Sequence, residues 1–220
     1  MQNPIHYIPL ATTAFAAWFA PQLFHRWRTH RPAPHLFWWG LGVALYGAGT
    51  LTESLTTLFG WQESIFRLWY ITGALLGGAP LAQGTAYLLL SRRTADRLTL
   101  GLLTVVAVAA SCVALSPIAY ANVEPHRLSG AVLAWSWVRG FSPFINSYAF
   151  LMLVGGAAVS AWRYRRAGAE ARMLANIYIA IGGLLPGIGG AFTRFGHVEV
   201  LYVTELIGLL LIFQGYRLAT

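Results

Sequence analysis

Lysine is absent from this chain of 220 residues, and all 15 of its basic residues are arginine. Cysteine occurs once, as Cys112, so neither an internal disulfide nor a multi-cysteine metal site can form. Charge is scarce: 10% of the residues are charged, where a soluble domain carries about 25%. Hydrophobic residues make up 57% of the chain, and the mean hydropathy is +0.57. A fold in water has too few polar side chains here to cover so much Leu, Ala, Phe and Trp, whereas a bilayer removes that demand. The first residues, Met1-Gln2-Asn3-Pro4, lack the positive n-region of a cleavable signal, so the first apolar run reads as a permanent helix. The net charge of +8 does not point to nucleic acid. Phosphate tracking needs a contiguous basic surface, and here the arginines fall in short clusters between apolar runs, as in cytoplasmic loops.

Spanning hydrocarbon takes about 20 apolar residues at 1.5 Å each. Seven segments qualify, at 5–24, 36–58, 65–90, 98–119, 140–162, 173–195 and 198–216. The expected fold class is all-α: one polytopic seven-helix transmembrane domain over residues 1–220. Most loops are short, which sets sequence neighbours antiparallel. The exception, 120–139, carries Pro125 and the Trp135/Trp137 pair. It reads either as an early start of the fifth helix or as an amphipathic piece with its indoles at headgroup level. Arg26, Arg28, Arg31, Arg92, Arg93, Arg97, Arg163, Arg165, Arg166, Arg172 and Arg217 fall on one side, opposed only by Asp96 and Glu170. The other side holds Arg67, Arg127, Arg139 and Arg194 with five glutamates at or near it. The positive-inside rule makes the first side cytoplasmic, with the N-terminus out and the C-terminus in.

A weak internal repeat accompanies this plan. Thr57-Leu58-Phe59-Gly60 matches Thr193-Arg194-Phe195-Gly196, which places Ala44 on Ala180 and Gly47 on Gly183. Tyr70-Ile71-Thr72 likewise matches Tyr202-Val203-Thr204. Helices one to three and five to seven would be parallel repeats about an axis normal to the membrane, with the Leu/Val/Ala-rich fourth helix as linker.

Polar residues inside the spans mark the candidate site. Tyr46, Thr50, Glu53 and Thr57, spaced by four, three and four, share one face of helix two. Thr72, Gln83 and Tyr87 share a face of helix three, and helix seven brings Tyr202, Glu205 and Tyr216 together. Glu205 lies about 10 Å below the boundary marked by Glu199. A carboxylate at that depth costs a few kcal/mol unless it is paired, protonated or wetted. One reading is an outward-opening pocket in which Glu53 or Glu205 binds a cation, a proton or a polar ligand, lined by Tyr46, Thr50, Gln83 and Tyr202, with Arg194, Arg67 and Arg139 as the nearby cations. The competing reading is a structural Glu–Arg pair. Glu63 and Arg67, at i and i+4, read as a surface pair. Helix six offers Asn176, Ala180, Gly183, Gly187 and Gly190 on one face around Pro186, a spacing that permits close packing or a hinge.

Several chemistries lack their residues. His6, His25, His30, His35, His126 and His197 lie in loops or near helix ends, so no haem-ligating pair and no zinc cluster is expected. No phosphate loop or nucleophile elbow occurs, and no catalytic residue is assigned. A seven-helix retinal pigment needs a Schiff-base lysine, which this chain does not have. No cofactor is expected.

Phe66-Arg67-Leu68-Trp69-Tyr70, Gly73-Ala74-Leu75-Leu76, Leu81-Ala82, Gly84-Thr85, Tyr87-Leu88-Leu89 and Arg92-Arg93, together with Ala175-Asn176 in helix six, resemble a family of uncharacterised bacterial seven-helix membrane proteins. The resemblance covers about a third of the chain and implies the fold and a bacterial inner-membrane location. The three-plus-one-plus-three plan is also similar to that of sugar-transporter and rhodopsin-type bundles, at the level of fold alone. The leading expectation is transport of a small solute or ion through a site between helices two, three, six and seven. The alternatives are a ligand sensor signalling to a partner on the arginine-rich inner face, and a lipid-modifying enzyme. The expected partners are the bilayer and a small molecule or ion.

Overall fold

The structure, a computed structural model, describes residues 4–30, 32–193 and 195–219. Among them it is all-α, with two isolated bridges, Ile118–Leu133 and Glu124–Arg127, and no strand. Seven helical rods follow one another: α1 Ile8–Thr29, α2 Pro34–Phe59, α3 Glu63–Leu89, α4 Arg92–Leu115, α5 Ser136–Arg166, α6 Glu170–Thr193 and α7 Val198–Ala219. Two of the rods are interrupted. In α3 a π-helical turn, Tyr70–Leu75, separates Glu63–Trp69 from Ala79–Leu89. In α5 a π-turn, Phe150–Gly155, joins Phe141–Ala149 to Gly156–Arg166.

Five rods, α3 to α7, are long and apolar enough to cross a membrane. The first two fall short on hydropathy, and composition gives the reason. Rod α1 ends in His25, Arg26 and Arg28, while α2 carries Gly, Ser, Thr and Glu53 along its length. Those small and polar residues of α2 are buried against neighbouring helices, so the rod does not need an apolar surface there.

Six rods close a ring in the order α1, α2, α3, α5, α6, α7 and back to α1, and α4 packs outside it against α3. Contacts along each pair give the directions. Thr13 meets Thr50 and Phe24 meets Gly40, so α1 and α2 are antiparallel. Ser142 and Asn146 reach Ala74 while Gly156 meets Thr85, so α5 runs parallel to α3. The alternation brings Arg26, Arg28, Arg92, Arg93, Arg97, Arg163, Arg165, Arg166, Arg172 and Arg217 to one end of the bundle; Arg31 lies outside the described residues.

Between lipid-facing helices the hydrophobic effect is weak, so close van der Waals approach has to hold them together. Glycines provide it at two crossings. A Cβ on Gly49 of α2 would stand 3.0 Å from the Gly73 Cα of α3. A Cβ on Gly182 of α6 would stand 2.6 Å from the Gly208 carbonyl of α7, and one on Gly208 would stand 2.7 Å from the Gly182 carbonyl. The expected glycine face of α6 is therefore displaced. Gly187 and Gly190 face open space, and Gly183 packs on Leu153 of α5 rather than on α7. The register of Gly208 and Gly215 on the partner helix decided which face was used.

The long connection before α5 is not a single amphipathic piece, and α5 itself starts early, at Ser136, through a 3-10 turn, Ser136–Gly140. The rest folds as two short 3-10 turns, Tyr120–Asn122 and Gly130–Val132, over the end opposite the arginines. Trp135 and Trp137 stack with ring centroids 6.0 Å apart, and both are exposed. Arginines tie this cap to helix C-termini, where carbonyls lack partners and the dipole favours cations. Arg127 Nη2 donates to the Thr193 carbonyl of α6 at 2.8 Å. Arg67 pairs with Glu63 at 2.8 Å and also donates to the Val113 and Ser116 carbonyls closing α4. It is more than half of a surface pair.

Candidate functional site

The 4-3-4 spacing on α2 does form a single buried face: Tyr46, Thr50, Glu53 and Thr57 are all buried, Glu53 at 4% exposure. Glu53 stands six residues before Phe59, and Glu205 seven residues after Val198. At 1.5 Å per residue both lie roughly 10 Å below the capped end. Their carboxyl groups are within hydrogen-bonding reach of one another. Each keeps a buried Oε2 with no partner among the described residues. Glu205 as a whole is half-buried, but that oxygen has no exposed surface. Both unpartnered oxygens are therefore sealed from solvent.

Three aromatic residues form the walls of the site. Trp69 Nε1 donates to Glu53 Oε1 at 3.0 Å. The Gly49–Gly73 crossing places it there, since Trp69 is four residues before Gly73 and Glu53 four after Gly49, one helical turn along each rod. The crossing also coincides with the π-turn of α3, a feature frequent at functional sites. Tyr46, two turns before Glu53 on α2, donates its hydroxyl to the Glu205 backbone carbonyl at 3.0 Å and links α2 to α7. Tyr202, 4% exposed, stands between the pair and the rim, where its ring meets that of His6 edge-on at 6.0 Å. His6 Nε2 lies 3.3 Å from Glu199 Oε1. Tyr202, hydrogen-bonded to Thr57, thus lies between the rim and the carboxyl pair.

The other expected lining residues go elsewhere. Thr50 is next to the site in sequence, but its hydroxyl contacts Thr13 at 2.9 Å and joins α1 to α2. Gln83 belongs to a second cluster near the arginine-rich end. Its Nε2 donates to the Ala95 carbonyl at 3.0 Å and to Thr99 at 2.8 Å, and its Oε1 accepts from Tyr148. Tyr87 extends this cluster to Asp96 at 2.7 Å. Gln83 is fully buried and serves to fasten the peripheral α4 to α3 and α5. Arg194 lies outside the described residues. Arg67 is engaged with α4, and Arg139 with the Ser136 carbonyl of its own turn at 3.3 Å. Tyr216 is at the far end of α7 beneath Arg26, whose guanidinium carbon is 5.6 Å from its ring. Among the described residues no group of three or more His, Cys, Asp and Glu could hold a metal.

Sequence reasoning missed Trp69, His6 and Glu199. Trp69 carried a legible signal, an indole N–H inside a span one turn from a glycine, but its partner on α2 depends on the helix crossing. Compared with protein-family models, with curated proteins and with solved structures, the chain matches none.

Proposed function

We propose that this chain is a multipass transporter of a small solute or ion, with all seven rods crossing the membrane and the arginine-rich end in the cytosol. The carrying observation is the contact between the carboxyl groups of Glu53 on α2 and Glu205 on α7, roughly 10 Å below the capped end. A charge placed there is costly and marks ion pathways and relays by default. The ring order supports the repeat as well, since exchanging helices one to three with five to seven returns the same neighbours. The aligned glycines also pack alike: Gly47 meets Ala16 of α1, and Gly183 meets Leu153 of α5. Such repeats rock against one another around a site at their interface.

A sensor is the second reading, and one observation favours it. Between the site and the arginine-rich end the α6–α7 seam is shut by the Gly182–Gly208 contact. A ligand could then act on the exposed arginines and a cytosolic partner without crossing. Spin labels on Phe59→Cys and His197→Cys at the capped end, and on Leu90→Cys and Ala219→Cys at the other, separate the two in a Cys112→Ser background. Transport requires both distances to interconvert between two populations in reciprocal fashion. It also requires flux of protons, sodium or potassium into dye-loaded proteoliposomes, reduced at least tenfold by Glu205→Gln. Fixed distances with no flux of any of these ions would overturn it.

A further inference from the structure

We propose that Glu53 and Glu205 together form one proton-binding site, in which a single proton is shared between the two carboxyl groups. The inference rests on the transport reading for its purpose, naming the proton as the coupling ion, but its basis is geometric. An ionised carboxylate only accepts hydrogen bonds. Two carboxyl groups in hydrogen-bond contact therefore need a proton on one of them. A metal ion seated between them would hold the oxygens apart, and a calcium-like ion would require six or more oxygen ligands. Among the described residues no arginine or histidine side chain contacts the pair to replace the proton's charge.

The surroundings suit a proton as well. Trp69 occupies Glu53 Oε1, and the unpartnered Oε2 on each side chain remains as an acceptor. Among the described residues the titratable groups facing the pair are Tyr46 from α2 and Tyr202 from α7, with Glu199 and His6 one contact further out. Rod α3 contributes Trp69, and α1 contributes Thr13 beside Thr50; neither titrates. Tyr202 and the His6–Glu199 contact lie between the pair and the rim. On release the carboxylic O–H bond breaks and the proton passes to water at that rim. Two adjacent carboxylates then remain, and their repulsion parts α2 from α7. Uptake of a proton from water reverses the step.

Infrared difference spectroscopy of the full chain in lipid nanodiscs tests the site without any transport measurement. At neutral pH the chain should show a protonated-carboxyl C=O band that shifts in D2O and titrates with pH. Either Glu53→Gln or Glu205→Gln should abolish it, because the amide NH2 donates to the remaining carboxylate in the proton's place. Trp69→Phe keeps both carboxyl groups and should move the band to higher wavenumber, one hydrogen bond to Glu53 having gone. A folded chain without the band, a band that survives in both Gln variants, or one that Trp69→Phe leaves unshifted would overturn the proposal. If the band behaves as expected and no flux occurs, transport fails and the proton site stands. If flux occurs without the band, the transported ion is not this proton.

Discussion

At the scale of single residues, the bundle shows how much one polar contact is worth where water is scarce. Trp69 and Tyr46 place their polar atoms against Glu53 and the Glu205 backbone, in a part of the bundle where water is scarce. The capped end offers a contrast in water. Tyr120 donates to Glu63 at 2.8 Å, and the carboxylate both accepts that bond and repels a phenolate, which holds the phenol above its ordinary value of 10.0. The folded state binds this proton more tightly than the unfolded chain does. Any stabilisation from it is therefore fully present below the unfolded value and is lost as pH rises through the raised folded one. Glu63→Gln should return the Tyr120 midpoint toward 10.0. The chain has 10 tyrosines, so the ultraviolet titration has to be taken as the difference from Tyr120→Phe. An unchanged midpoint would mean that the Glu63 contact is absent in solution.

At the scale of elements, glycine position matters more than glycine number. Gly208 sits where a Cβ would stand 2.7 Å from a backbone carbonyl and 3.1 Å from Pro186 Cδ, neither of which can rotate away. Gly187, one residue beyond that proline, has nothing within 4 Å. Gly208→Val should lower stability in detergent by about 1–3 kcal/mol through overpacking of α6 against α7. Gly187→Ala should raise it by about 0.5–1 kcal/mol, because alanine restricts the unfolded chain and favours the helix. Thermal unfolding of the two variants in one detergent compares them directly. Equal shifts would mean that the α6–α7 seam is looser than drawn here. The π-turns of α3 and α5 follow the same logic: each lies at a close helix contact, beside Gly49 in one case and Gly183 in the other.

At the scale of the whole molecule, charge is sorted by the alternation of the rods. Ten described arginines gather at one end, opposed by Asp96 and Glu170. The other end carries the cap, with Arg67 and Arg127 bound to carbonyls and to Glu63 and Glu124. The orientation proposed above places the cap outside. In the Cys112→Ser background, Asn122→Cys should react with a membrane-impermeant maleimide on intact cells, and Ala167→Cys should react only after permeabilisation. The reverse pattern would invert the molecule and turn the carboxyl pair toward the cytosol.

Composition and spacing sufficed for the quantities that depend on the chain's local chemistry. These are helices long enough for hydrocarbon, clustered arginines that alternation must bring to one end, and the 4-3-4 face that buries Tyr46, Thr50, Glu53 and Thr57. A helix buries a face because of its own period, so that much is legible one residue at a time. The partners were not legible, because they depend on where two helices cross. Tertiary structure decided that Glu53 meets Glu205 and Trp69, and that Gln83 joins α4 instead of the site. It also decided that Gly182, not Gly187, touches α7, and that the stretch before Ser136 becomes a cap. The physical reason is common to all four. Helices in lipid are apolar on nearly every side, so hydropathy cannot say which side faces protein, and only the fit of one helix against another selects the contact.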